Sequence, residues 1–392
     1  MTSWITRLLL LWGLLAAPSA PGQDSPVVIG AVVSTTGAQA AAAEGYRRAL
    51  LLWEEQVNAR GGLLGRRVEL RLRDDASRAV RAGQEYQTLA AEADVLIGPY
   101  GSAATMMGAA AAERERRVMI NGGGPARTVH KRAPKYLFQS GIPYASYGSG
   151  VLELAKQAGL ERLLILGRDD PRSRDMAEAT AELARLQGFP EVEMISYAGA
   201  NADFGPQVEL ARAARAQAWI AFGEAREAAD MVRTFRRLDY APQLFFARAA
   251  TEPAFIDLVG QDAEFSLGAI EYDARLATPG NAAFAKAYAE RWSHGPGFAA
   301  AQGYAAATVL EAAVREAGTL DAEKLRAALS GLEAGTVLGP HRVDPANGAQ
   351  AATHAAVAQI LKGRPEVVWP RELETANALL PYPQWGERSL IK

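Results

Sequence analysis

The sequence predicts an α/β protein of two lobes, each built on a mostly parallel sheet. Three observations predict it. At 392 residues the chain is too long for one ordinary domain and comfortable for two. Strand-like and helix-like segments alternate from residue 26 onward, and the alternation restarts near residue 145. Several strand-like runs are apolar without interruption, as expected of parallel strands covered by helices on both faces.

The first series opens with Val27-Val28-Ile29-Gly30-Ala31-Val32-Val33, a strand apolar throughout. Tyr46, Ala49, Leu50, Trp53 and Val57 then recur at helical spacing, and Arg60-Gly61-Gly62 ends that helix. Trp53 belongs to this core stripe. Val68, Leu70 and Leu72 alternate with charged residues, which marks a strand with one wetter face. Val95-Leu96-Ile97-Gly98 and Val118-Met119-Ile120 follow, separated by helix-forming sequence. Phe138 to Tyr144 reads as a crossover. The second series has strands at 163–166, 192–195, 219–222 and 244–246, with an alanine-rich helix over 174–187. Helices return at 281–292 and 300–317, and the chain reads as irregular and proline-rich after Lys362.

Composition narrows the function. Net charge is −2 and both signs are mixed along the chain, so no stretch is basic enough to follow a nucleic-acid backbone. Cysteine is absent, which excludes disulfides, thiolate metal sites and a cysteine nucleophile. At the N-terminus Arg7 precedes the apolar run Leu8 to Leu15, followed by small residues and prolines to Gly22. That is the pattern of a secretory signal over 1–22, cleaved before Gln23. The run is too short to span a bilayer, no later segment reads as transmembrane, and no cysteine is available for lipid attachment. A soluble periplasmic protein is expected.

Three loops of the first series are suited to holding a ligand. Ser34-Thr35-Thr36-Gly37, Gly98-Pro99-Tyr100-Gly101-Ser102 and Asn121-Gly122-Gly123-Gly124-Pro125 each follow a strand. Ligands in open parallel sheets sit beyond the carboxyl ends of the strands. Small residues let backbone N–H groups approach, hydroxyls add donors, and a following helix offers its positive end. Each loop alone is ordinary turn chemistry; three on one side of one sheet suit a carboxylate. Enzyme and cofactor signatures are missing: there is no phosphate-binding G-x-x-x-x-G-K, no G-x-S-x-G elbow and no H-E-x-x-H. The four histidines, at 130, 294, 341 and 354, are scattered, so no metal site is expected. Asp74-Asp75 suits either a metal or acid–base role, or the capping of the next helix, and capping is the expectation.

The chain resembles the type 1 periplasmic binding proteins of the leucine/isoleucine/valine-binding branch. The resemblance runs from about Val27 to Trp385. It rests on Ile29-Gly30 through Ser34-Thr35-Thr36-Gly37, on Asn58-Ala59-Arg60-Gly61-Gly62-Leu63-Leu64-Gly65, and on Asp74-Asp75. Leu96-Ile97-Gly98-Pro99 with Ser102, Thr336-Val337-Leu338-Gly339-Pro340, and the tail Val367 to Pro370 with Leu380 to Trp385 complete it. The resemblance implies two Rossmann-like lobes joined by three crossover hinge segments, with residues 26–141 and 275–345 in lobe one. Residues 142–274 and 346–386 would form lobe two. It implies a receptor without enzymatic chemistry or cofactor, which hands a small ligand to an ABC permease. A sensor of the same fold is the main alternative; a secreted α/β hydrolase is opposed by the missing nucleophile elbow.

The resemblance also nominates ligand-binding residues. In lobe one these are Tyr100, Ser102, Gly123, Gly124 and Pro125, the last standing where relatives carry a threonine hydroxyl. In lobe two they are Arg172, Glu224 and Arg248. Relatives hold the ligand ammonium with an acid where this chain has Arg248, and they carry an aromatic residue where it has Ala40 to Ala43. Those two departures predict a ligand other than a branched-chain amino acid. The opposite expectation follows if Arg248 pairs with Glu252 and Glu224 supplies the missing carboxylate.

Overall fold

A computed structural model describes residues 25–199 and 203–388. The expected signal segment and its cleavage point lie outside the described residues. The first lobe begins β1 (Val27–Val32), α1 (Ala40–Ala59), β2 (Val68–Arg73), α2 (Ala79–Glu92), β3 (Val95–Ile97), α3 (Ser102–Glu115), β4 (Met119–Asn121) and β5 (Leu137–Gln139). Its five strands are all parallel, in the order β2-β1-β3-β4-β5. Every residue of β1 is buried, because helices cover both faces of the sheet. The predicted crossover at Phe138 starts inside β5, which supplies the sheet's edge strand. Three residues are too few to show a period.

The second lobe runs through α4 (Ser149–Gln157), β6 (Arg162–Arg168), α5 (Pro171–Leu186), β7 (Glu191–Tyr197), α6 (Gly205–Ala213), β8 (Ala218–Phe222), α7 (Ala225–Arg237), β9 (Leu244–Ala247), α8 (Pro253–Val259) and β10 (Leu267–Ile270). Then come α9 (Asn281–Trp292), α10 (Phe298–Ala317), α11 (Ala322–Gly331), the short hairpin β11 (Ala334–Thr336) and β12 (Gly339–His341), and finally β13 (Ala356–Leu361) and β14 (Arg364–Trp369). The second sheet has the order β14-β13-β10-β9-β8-β6-β7. Its strands are parallel except β13 and β14, which join as an antiparallel hairpin against β10. The tail expected to be irregular after Lys362 therefore contributes a strand.

The C-terminal helices return to the first lobe. α10 packs along α1, and their backbones approach closely: a Cβ on Gly303 would stand 2.7 Å from the Tyr46 carbonyl. Alanines at 300, 306, 307 and 313 of α10 are buried. Trp53 is fully buried in the same core and donates its indole N–H to Glu311 at 2.9 Å.

Asp74 and Asp75 do not cap α2, whose cap position is Arg78 with no side-chain hydrogen bond. They tie down the β1–α1 loop instead. Asp74 accepts from the backbone N–H groups of Thr35 and Ala76 and from the Thr36 hydroxyl; Asp75 accepts from the Ser34 hydroxyl at 2.6 Å and the Ser77 N–H. Burial opposes ionisation of Asp74, but these donors hold its carboxyl well below the usual range.

Two buried histidines illustrate structural use of the residue. His130 lies 2.9 Å from the Asn347 carbonyl. His341 sits beside Gln350, 3.0 Å from its amide nitrogen, with its Nε2 sealed from solvent. Burial lowers the His341 pKa to about 4. A depressed folded-state value means that stability is fully present above the unfolded pKa of about 6.5 and is lost as pH falls toward 4, by roughly 3 kcal/mol in all. Urea unfolding at pH 7 and pH 4.5 is expected to show that decline. His341→Gln should reduce it, the remainder coming in part from His130 and His354, whose pKa values burial also lowers, and an equal decline in the variant would refute this assignment.

Candidate cleft between the lobes

The β3–α3 and β4–β5 loops lie side by side and are locked together. Gly101 donates its N–H to the Gly123 carbonyl at 2.8 Å, and the Ser102 hydroxyl accepts the Ala126 N–H at 3.1 Å. Glycine is required at 123, since a Cβ would stand 2.6 Å from the Pro99 carbonyl. Gly124 donates its N–H to Asn121 Oδ1, so that group is already engaged and does not border the cavity. Pro125 borders it, and its carbonyl accepts from Tyr144 N–H at 2.9 Å.

Between the lobes lies a cavity of about 400 Å³. Lobe one contributes Tyr100, Ser102, Gly123 and Pro125; Tyr144 and Tyr147 line the crossover; α10 contributes Phe298 and Gln302. From the second series come Arg172, Glu224, Arg248, Glu252 and Glu271. A second compartment of about 370 Å³ shares Tyr100, Ser102, Tyr144 and Arg172, and extends to Ser34, Gln39 and Asp75. All the nominated residues except Gly124 thus border one continuous space. Ala40 to Ala43 do not border it, so their small size does not enlarge the cavity.

The two walls differ electrically. On the first wall, α3 begins at Ser102 with no side-chain cap. Its first intrahelical donor is Thr105, so the N–H groups of Ser102, Ala103 and Ala104 lack helical acceptors, and all three residues line the second compartment. They form a positive pole for an anion. On the second wall the helix ends are already occupied by acids. Asp170 accepts from the N–H groups of Arg172 and Ser173 at the start of α5. Glu224 and Glu227 form a capping box on α7, with the Glu224 N–H donating to Glu227 at 2.6 Å.

Arg248 does not project an unpaired charge into the cleft. Its side chain is only 7% exposed and lies 3.1 Å from Glu252, 3.3 Å from Glu224 and 3.6 Å from Glu271. Arg248 therefore pairs with Glu252, one half of the condition for the conventional reading, and its charge is offset by acids on three sides. Arg172 pairs with Glu271 at 3.3 Å. Burial is the largest single influence and works against its charge, but Glu271, Tyr144, Tyr147 and Glu224 together outweigh it and raise the pKa. Tyr147 donates to Glu271 at 2.8 Å, and burial together with that carboxylate keeps the phenol protonated. Among the residues bordering the cavity three acids share two guanidiniums, and outside that set Arg168 also stands 3.9 Å from Glu224. Glu271 is the residue that the sequence concealed: it follows β10 with no motif around it, and only the fold brings it to Arg172, Arg248 and Tyr147.

At the edge of the cleft Arg127, on the first-lobe side, reaches three acids of α5. The distances are 2.5 Å to Asp175, 2.7 Å to Glu182 and 3.2 Å to Glu178.

Two parallel α/β units facing each other across a polar cleft form the frame of a small-molecule clamp, with the type 1 periplasmic binding protein fold. The chain belongs to the periplasmic binding protein family, which it matches over residues 26–365. An amino acid binding protein of Pseudomonas aeruginosa PAO1 is 26% identical over 219 residues, covering 54% of this chain and 57% of that protein. The chain thus matches a little over half the length of this curated relative. A Rhodospirillum rubrum structure, assigned to a branched-chain amino acid ABC transporter, superposes with a TM-score of 0.78 at 21% identity and covers 88% of this chain and 100% of the other. A Rhodopseudomonas palustris BisB5 solute-binding protein of an ABC transporter, solved with 3,4-dihydroxybenzoic acid, gives 0.65 at 22% identity over 92% and 99%. These identities establish the fold. Among the described residues no helix is long and apolar enough to cross a membrane.

Proposed function

We propose that the chain is the extracytoplasmic substrate-binding protein of an ABC importer and holds an amino-acid-like, carboxylate-bearing ligand between its lobes. The division of charge across the cleft supports this reading. A ligand carboxylate lies against the open N-terminus of α3 and the Ser102 hydroxyl. A ligand ammonium lies among Glu224, Glu252 and Glu271, where acids outnumber bases. A buried charge is costly unless paired, so a zwitterion spans the two walls better than a simple anion. Tyr100, Tyr144, Tyr147 and Phe298 flank the rest of the molecule.

The working cycle is hinge closure. Lobe one, residues 26–141 with 275–345, binds first; lobe two, 142–274 with 346–386, closes on it, and the permease receives the closed form. No chemical step and no cofactor is needed. Residues 1–22 direct export and are removed, so N-terminal sequencing of protein from the periplasmic fraction should begin near Gln23. Retention of Leu8 to Leu15 would sink that claim.

Calorimetry with leucine, isoleucine, valine and the aromatic amino acids, set against 3,4-dihydroxybenzoate, tests the ligand class. An amino acid is expected to bind at micromolar concentration or below. Tighter binding of dihydroxybenzoate, which has no ammonium, would overturn the zwitterion assignment.

A further inference from the structure

A second surface of lobe one lies outside the cleft. Three of the large apolar side chains that the fold leaves exposed gather on α2 and α3: Val80 at 60% exposure, Met106 and Met107 at 41% each. α2 and α3 pack tightly here, with the Met107 Cβ 3.2 Å from where a Cβ on Gly83 would stand. Beside them, α3 and the β4–β5 loop enclose a groove of about 880 Å³, larger than either cleft compartment. Its walls are the two methionines, Ala109, Val129 and Pro134; its rim carries Lys131, Arg132 and Lys135. Exposed apolar groupings of this kind mark interaction sites more often than chance surface.

The charge on the rim is one-sided. Lys131, Arg132 and Lys135 form no ion pair or hydrogen bond with any described residue, whereas most arginines of this protein are paired within it. The single acid on the wall, Glu113, already accepts the Tyr136 backbone N–H at 2.6 Å. The groove therefore offers an apolar floor of flexible thioethers beneath three free cations. The position is informative as well. Ala79 and Ala103, next to Val80 and one turn before Met106 and Met107, line the cleft's second compartment. The patch begins at the mouth of the ligand site and runs away along α3.

We propose that this groove docks an acidic amphipathic segment of a partner protein, its apolar side chains seated on Met106 and Met107 and its carboxylates on Lys131, Arg132 and Lys135. Methionine suits the floor because its unbranched side chain repacks around varied apolar groups, and an amphipathic helix in an apolar groove is an established recognition mode. A concave floor between cations fits a narrow segment rather than a flat lipid surface. The proposal rests on reading the chain as a receptor that delivers its ligand to a membrane partner, whose docking would extend over the outer flank of lobe one along α3.

The test uses the exported protein labelled at its methionine methyls. Met106 and Met107 report on the groove, while Met119, Met176 and Met231 are buried and serve as internal controls. Three probes are added: a synthetic amphipathic helix with leucines on one face and glutamates flanking them, the same helix with lysines for glutamates, and phosphatidylglycerol vesicles. Only the acidic helix is expected to move the Met106 and Met107 signals, with the controls still. Lys131→Glu combined with Lys135→Glu should weaken that binding by at least about tenfold, since like charges then face each other. Both side chains are exposed, so the fold is unaffected, and the thermal shift given by the cleft ligand should be unchanged. No response to the acidic helix at millimolar concentration, equal responses to both helices, or a response to vesicles or to protein self-association instead would overturn the proposal. Loss of ligand binding by the unmodified protein would count against the receptor reading, a separate result.

Discussion

Replacing Ser102 with tryptophan is expected to abolish ligand binding while leaving the unliganded fold intact. Ser102 is the first residue of α3, borders both compartments of the cleft, and offers a hydroxyl beside the free N–H groups of the helix end. An indole there would fill the space above those N–H groups. The side chain points into the cleft rather than into a core, and its one internal hydrogen bond, from Ala126 N–H, joins two loops that backbone bonds already hold. A ligand at about a hundred times its Kd stabilises the native protein by roughly 2.7 kcal/mol, and that whole increment should vanish in the variant. Differential scanning fluorimetry reads both halves of the claim. A preserved shift would place the ligand elsewhere; a lowered baseline melting point would show that the substitution had damaged the fold instead.

Glu271→Ala is expected to cost about 3 kcal/mol of stability and to weaken ligand binding as well. Removing one partner of a fully buried ion pair costs roughly 3–5 kcal/mol, an upper bound here because Arg172 is 39% and Glu271 20% exposed. The low end applies because Arg248 keeps Glu224 and Glu252, both substantially exposed; Arg172 keeps only Glu224, at 4.0 Å. Equilibrium urea unfolding measures the first effect. A double-mutant cycle with Arg172→Ala isolates their coupling. If Glu271→Ala unfolds like the parent, the acid contributes nothing to the network. If it loses stability yet binds the parent's ligand unchanged, the acid is a strut for the arginines and not part of the ammonium site.

The contrast between Ser102 and Glu271 shows what a sequence can reveal. Ser102 sits in a glycine-rich loop between an apolar strand and a helix, and that local grammar marks a ligand-facing turn with no knowledge of the fold. The buried strands β1, β3, β6 and β8 were legible for the same reason, because continuous apolar runs have few other uses. β5 and β14 were not, since a three-residue edge strand and a hairpin strand containing Pro365 lack any distinguishing period. Glu271 lies beyond reach in another way: its meaning comes from Arg172, Arg248 and Tyr147, which stand 99, 23 and 124 residues away. The resemblance flags Arg248 as a departure. Its consequence depended on which acids surround it, a question only tertiary structure answers. Asp74 and Asp75 were misread because an acid before a helix usually caps it, whereas here both turn back to hold the neighbouring loop.

The route of the chain through its two sheets bears on how the protein is made. The first sheet has all its strands by Gln139, but α10, which covers it along α1, is not synthesised until residues 298–317. The second sheet lacks its last two strands until Trp369. A growing chain released at any earlier point would carry both an uncovered apolar face and an unpaired strand edge, the features that favour aggregation. Neither lobe is complete until its C-terminal elements are made, and the contacts that complete them are long-range and slow to form. Folding is therefore expected to wait for nearly the whole polypeptide, so that the nascent chain stays threadable through a narrow passage until its final strands arrive.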